Sequence, residues 1–149
     1  MKQKFISISV AFLSLLLLVA GCRKRDADLA DNLVVFETSA QGITASENSI
    51  TVMLKLVRGT DRDIPVTINL VEEGVVYGTD YTTTPAAAAG KLTVTIPSGN
   101  NETSFTLTKN SGVLFDGDEK IVFDLFSSGT PVFIGVARQF TLSFAELVA

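Results

Sequence analysis

From Leu33 onward, apolar residues alternate with polar ones, a period of two that marks strands with one buried face. Ile50, Val52, Leu54 and Leu56 alternate with Thr51, Met53, Lys55 and Val57, and Ile64, Val66, Ile68 and Leu70 alternate with Pro65, Thr67 and Asn69. The pattern returns at Leu92, Val94 and Ile96, at Phe105 and Leu107, at Ile121, Phe123 and Leu125 within 120–126, and at Phe140, Leu142 and Phe144. With an opening strand over 33–37 the chain holds about seven strands. Turn chemistry separates them: Arg58-Gly59-Thr60-Asp61, Glu72-Glu73-Gly74, Pro97-Ser98-Gly99-Asn100-Asn101 and Asp116-Gly117. The insert Pro85-Ala86-Ala87-Ala88-Ala89-Gly90 reads as a loop tolerant of length change. This spacing predicts an all-β, immunoglobulin-like β-sandwich of about seven antiparallel strands over 33–149, with a core of Phe, Val, Ile and Leu. Its first and last strands need partners inside the sandwich, because an unpaired apolar edge invites aggregation.

The first 21 residues follow a different grammar. Lys2 and Lys4 precede an apolar run from Val10 to Ala20, too short for a spanning helix, which needs ~20 apolar residues, and right for the helix of a signal peptide. The run ends in Val19-Ala20-Gly21-Cys22, which resembles the bacterial lipobox, whose Cys is diacylated and becomes the new N-terminus. That resemblance implies a signal peptide over 1–21, lipidation at Cys22 and a polar tether over 22–32, leaving the protein anchored to membrane lipid. The expected location is the periplasmic or surface side of a bacterial membrane, the outer membrane by preference. Acylation also accounts for a lone cysteine in an exported chain.

Composition narrows the chemistry. The 149 residues hold no His, no Trp and one Cys, so His-based acid–base catalysis, Cys/His zinc sites, Cys–His nucleophiles and intrachain disulfides lack their atoms. Lys2 and Lys4 lie before Cys22, so a processed chain keeps 10 of its 12 basic residues against all 16 acidic ones. That balance repels phosphate backbones, and the basic cluster Arg23-Lys24-Arg25 sits beside the leader, so no nucleic-acid partner is expected.

Four local features of the body resemble the Calx-beta domain, a seven-stranded sandwich of sodium/calcium exchangers, integrin subunits and bacterial surface proteins. They are Glu47-Asn48-Ser49-Ile50-Thr51-Val52 before a long strand, Gly78-Thr79-Asp80-Tyr81, the strand and turn from Leu92 to Pro97-Ser98-Gly99 leading to Phe105, and the acidic turn Phe115-Asp116-Gly117-Asp118-Glu119 before Lys120. In calcium-binding members, acidic loops at one end converge on the ion. The resemblance therefore implies a metal site at Glu47, Asp80 and Asp116, with Asp118 and Glu119 nearby. The chain departs from the pattern at Asn110-Ser111, where the family has an acidic pair. Calcium wants 6–8 oxygens and its affinity follows their charge, so the expectation is at most one weak ion, in the ~10⁻⁴–10⁻³ M class.

Three functions compete on these residues. The first is a lipid-anchored extracytoplasmic binding or interaction module, with or without weak calcium binding at one loop end. The second is a carbohydrate-binding accessory lipoprotein of a glycan-uptake system, which needs exposed aromatic rings and has only Tyr77 and Tyr81 beyond its phenylalanines. The third is a two-carboxylate glycosidase on Asp116, Asp118 or Glu119, for which the chain is too small to wall a cleft. The first, non-enzymatic reading is preferred.

Overall fold

The computed structural model describes residues 29–146; the expected signal helix, Cys22 and most of the tether lie outside the described residues. Ten strands follow one another: β1 (Asn32–Phe36), β2 (Ala40–Ile43), β3 (Ser49–Leu56), β4 (Ile64–Glu73), β5 (Tyr81–Thr84), β6 (Lys91–Ile96), β7 (Glu102–Lys109), β8 (Lys120–Ser128), β9 (Val132–Ile134) and β10 (Gln139–Phe144). They form two five-stranded sheets, ordered β5-β7-β3-β1-β9 and β2-β10-β8-β4-β6. All seven expected strands are present, and no helix occurs among the described residues.

Two details differ from the expectation. β2, β5 and β9 are additional, short edge strands; Ala40-Gln41-Gly42 is exposed throughout, so it carries no buried-face alternation to read. The pairing is also not wholly antiparallel, since β1 pairs with β9 and β10 with β2 in parallel. Both parallel partners close off the terminal strands: β1 lies between β3 and β9, and β10 between β8 and β2.

The alternation fills the space between the sheets. Val52, Leu54, Phe105 and Leu107 from the first sheet, and Ile68, Phe123, Leu125 and Phe140 from the second, are all at most 2% exposed. Phenyl rings bridge the sheets: Phe105 lies 5.0 Å from Phe123, and Phe36 lies 5.8 Å from Phe140, centroid to centroid. Such offset pairs add about 0.5–1.5 kcal/mol each beyond the area they bury.

Strand direction gives the sandwich two poles. β1 and β3 are antiparallel with Val34 opposite Leu56, so the start of β1 lies beside the end of β3. There the Asn32 amide donates to the Arg58 carbonyl at 2.8 Å and its oxygen accepts from the Arg58 N–H at 3.1 Å, pinning the point where the chain enters. The loops at 44–48, 74–80 and 110–119 lie at the opposite pole, joined there by the hydrogen bonds described next.

Candidate functional site

All five carboxylates that the sequence singles out sit on the loops of that far pole. A second aromatic group supports it: Phe115 stacks on Phe144 at 4.5 Å, and Tyr81 lies 6.4 Å from Phe144. The buried Phe115 ring fixes the start of the acidic turn, and Tyr81 fixes the end of the loop that carries Asp80.

The carboxylates turn to their own backbones. Glu47 Oε2 accepts the Thr44 N–H and the Thr44 hydroxyl, each at 2.8 Å. The N–H bond first, the hydroxyl next and the Lys109 charge after them hold the Glu47 carboxyl below its ordinary pKa. Asp80 Oδ2 accepts the Val76 N–H at 2.7 Å. Asp116 Oδ1 accepts the Asp118 N–H at 3.0 Å, closing a short turn of the kind Asp favours. Glu119 spreads its two oxygens over the Asp116 and Gly117 N–H groups, both at 3.0 Å. Asp118 is exposed.

Cross-loop contacts come from residues that are not acidic. The Lys109 ammonium donates to the carbonyls of Thr44, at 2.9 Å, and Ala45, at 3.3 Å, and stands 6.0 Å from the centroid of the Phe115 ring. The Asn110 side-chain amide donates to the carbonyls of Gly78, at 3.0 Å, and Thr79, at 2.8 Å, while its N–H donates to the Asp80 carbonyl. A cavity of about 290 Å³ lies beside this junction, lined by Ala45, Asn48, Lys109, Asn110, Ser111 and Phe115 among others.

This donor set does not fit a calcium ion. Among the described residues, no three acidic side chains come close enough together to hold a metal. The five candidates share a pole but do not meet at a point. An ammonium holds two of the loop carbonyls there, and the Asn110 amide nitrogen is directed at two more.

Sequence reasoning missed Lys109 and Glu72. Glu72 Oε1 accepts from the Tyr81 hydroxyl and the Tyr77 N–H, both at 2.7 Å. Burial first, and then the bond to this carboxylate, push the Tyr81 phenol pKa up. Glu72 reads as part of a Glu-Glu-Gly turn, whereas β4 runs on through Glu73. The tyrosines are structural: Tyr81 is fully buried, and Tyr77 meets it edge-on at 5.4 Å while its hydroxyl accepts the Ala87 N–H at 2.9 Å. No exposed ring pair forms there for a sugar to stack on.

No protein-family model matches the chain, and no curated protein matches it. Solved structures do. The apo-form Calx CBD1 domain superposes with a TM-score of 0.61 at 18% identity, over 77% of this chain and 96% of that domain. The calcium binding domain CBD12 of CALX1.1 gives 0.60 at 18% identity, over 76% of this chain and 45% of that one. A two-domain Bacteroides fragilis protein of unknown function gives 0.50 at 14% identity, over 77% of this chain and 45% of that one. At these identities the likeness shows the fold: a Calx-beta-like β-sandwich.

Proposed function

We propose that this chain is a membrane-tethered extracytoplasmic interaction module. It is held through an acylated Cys22, presents the loops at 44–48, 74–80 and 110–119 to a macromolecular partner, and catalyses nothing. The observation that carries this reading is the placement of two ends: the chain enters the sandwich at Asn32, ten residues after Cys22, while Glu47, Asp80 and Asp116 sit on the pole opposite. An anchor at one pole leaves the other free to meet a partner. A second reason is the outer location implied by the leader, where a small sandwich without His or Trp suits binding more than chemistry.

In this reading the loop pole works without calcium. Calcium binding belongs by name to CBD12 of CALX1.1, and here the acidic groups already satisfy backbone N–H donors while Lys109 supplies positive charge among the loop carbonyls. A glycan ligand finds no support at Tyr77 and Tyr81.

The reading is tested on protein purified from native membranes. The N-terminal peptide is expected to begin at Cys22 and to carry the mass of diacylglycerol, and Cys22→Ser is expected to move the protein into the soluble fraction. An unprocessed chain with a free Cys22 thiol would overturn it.

A further inference from the structure

The first sheet carries an apolar row on its outer face, at the pole where the chain enters. Phe133 on β9 stands opposite Leu33 on β1, and Leu33 in turn opposite Val57, whose N–H donates to the Leu33 carbonyl. Their chain neighbours Val132, Val34 and Leu56 are buried in the core, so these three side chains project outward. Phe133 is 54% exposed and Val57 63%. Val35 continues the surface one row further along β1. Gly135 lets the edge close over it, since a Cβ there would stand 2.5 Å from Val35 Cγ1. Val136, just past β9, is fully exposed. Then the apolar surface stops at the ion pair of Lys55 with Glu37, 2.6 Å apart. Single exposed apolar residues are ordinary, whereas a contiguous group calls for a partner.

We infer that this row, Phe133, Leu33 and Val57 with Val35 and Val136, seats on the lipid surface that holds the anchor. The inference rests on the acylated-Cys22 reading. Three observations select lipid over other occupants. Cys22 is ten residues from Asn32, at most about 35 Å of extended chain, so the bilayer stays within reach of the row at high effective concentration. Asn32 is clamped to Arg58, so the chain enters beside the row at a fixed point. Charge is graded along the same direction: Arg23, Lys24 and Arg25 directly follow Cys22, where they attract anionic headgroups, Asp26, Asp28 and Asp31 come farther along the stretch, and the acidic loops lie at the far pole, where the same headgroups repel them. Phenyl and aliphatic side chains at an interface then bury apolar surface, adding to the acyl anchor.

The chain has no Trp, so a single substitution reports position. The acylated full-length protein is placed in phosphatidylethanolamine–phosphatidylglycerol vesicles with brominated acyl chains, as Phe133→Trp and, separately, as Leu114→Trp on the acidic-turn loop. Phe133→Trp is expected to show blue-shifted emission and roughly a twofold loss to bromine, with Leu114→Trp unaffected. Acylated protein that stays on the vesicles while neither variant is quenched overturns the docking and leaves the anchor standing. Equal quenching of both overturns the orientation. A concentration-dependent blue shift of Phe133→Trp without vesicles assigns the row to a second copy of the chain and overturns the proposal. Protein without an acyl group overturns the anchor, and the docking with it.

Discussion

The Lys109 ammonium donates to the Thr44 carbonyl at 2.9 Å across 65 residues of sequence, and through that bond β7 holds the loop between β2 and β3. Lys109→Met keeps much of the aliphatic stem over Phe115 and removes the charge. It returns the Thr44 and Ala45 carbonyls to solvent and strips Glu47 of a nearby cation. The contact is exposed, so the expected loss is about 1 kcal/mol, near 4 °C in the melting midpoint. A calorimetric scan of the variant checks this, and an unchanged midpoint would deny the bond a structural role.

The insert at 85–90 ends in a defined turn. Ala88 and Lys91 exchange backbone hydrogen bonds at 2.8 and 3.0 Å around Ala89 and Gly90, both with positive φ, which makes a type I′ turn. Ala89 sits at φ 50°, where a Cβ is unfavourable. Ala89→Gly or Ala89→Asn is therefore expected to raise stability by about 0.5–1 kcal/mol in denaturant titration, and lengthening the turn to lower it.

An ion pair on the outer face of the second sheet contributes to acid sensitivity, as does the depressed Glu47 carboxyl of the loop pole. Arg138 grips both oxygens of Asp124 at 2.8 Å, and this bond first of all holds the Asp124 carboxyl below its ordinary pKa. A carboxyl with a depressed folded pKa contributes stability that is complete above the unfolded value, about 3.9, and is lost as pH falls through the folded value. Melting midpoints should hold level from neutrality to about pH 4 and then fall, and Asp124→Asn should make that acid limb shallower while lowering the midpoint at neutral pH. An acid limb of the same depth in the variant would place the sensitivity elsewhere.

The core and the larger strands were readable because burial imposes alternation. Ile50 to Leu56 and Leu92 to Ile96 each bury every second residue, so the pattern states the face. β2 and β9 lacked such a signal: they are short edge strands recruited in parallel by β10 and β1, and their register is a tertiary fact. At the loop pole, it was the Calx-beta resemblance that implied Glu47, Asp80 and Asp116 at one end. It did not reveal that each would face a nearby N–H group of its own loop, because that choice depends on turn geometry. Lys109 gave no warning either, since a strand-end lysine usually faces water.

The most direct test of the central claim, that the loop pole is held by its own N–H groups and the Lys109 ammonium, is thermal melting of the protein in EDTA and in millimolar calcium. A site of ~10⁻⁴ M affinity would add about 2.7 kcal/mol at ~10 mM calcium, a rise on the order of 10 °C. The account predicts superimposable curves, and a calcium-dependent rise of that size would contradict it.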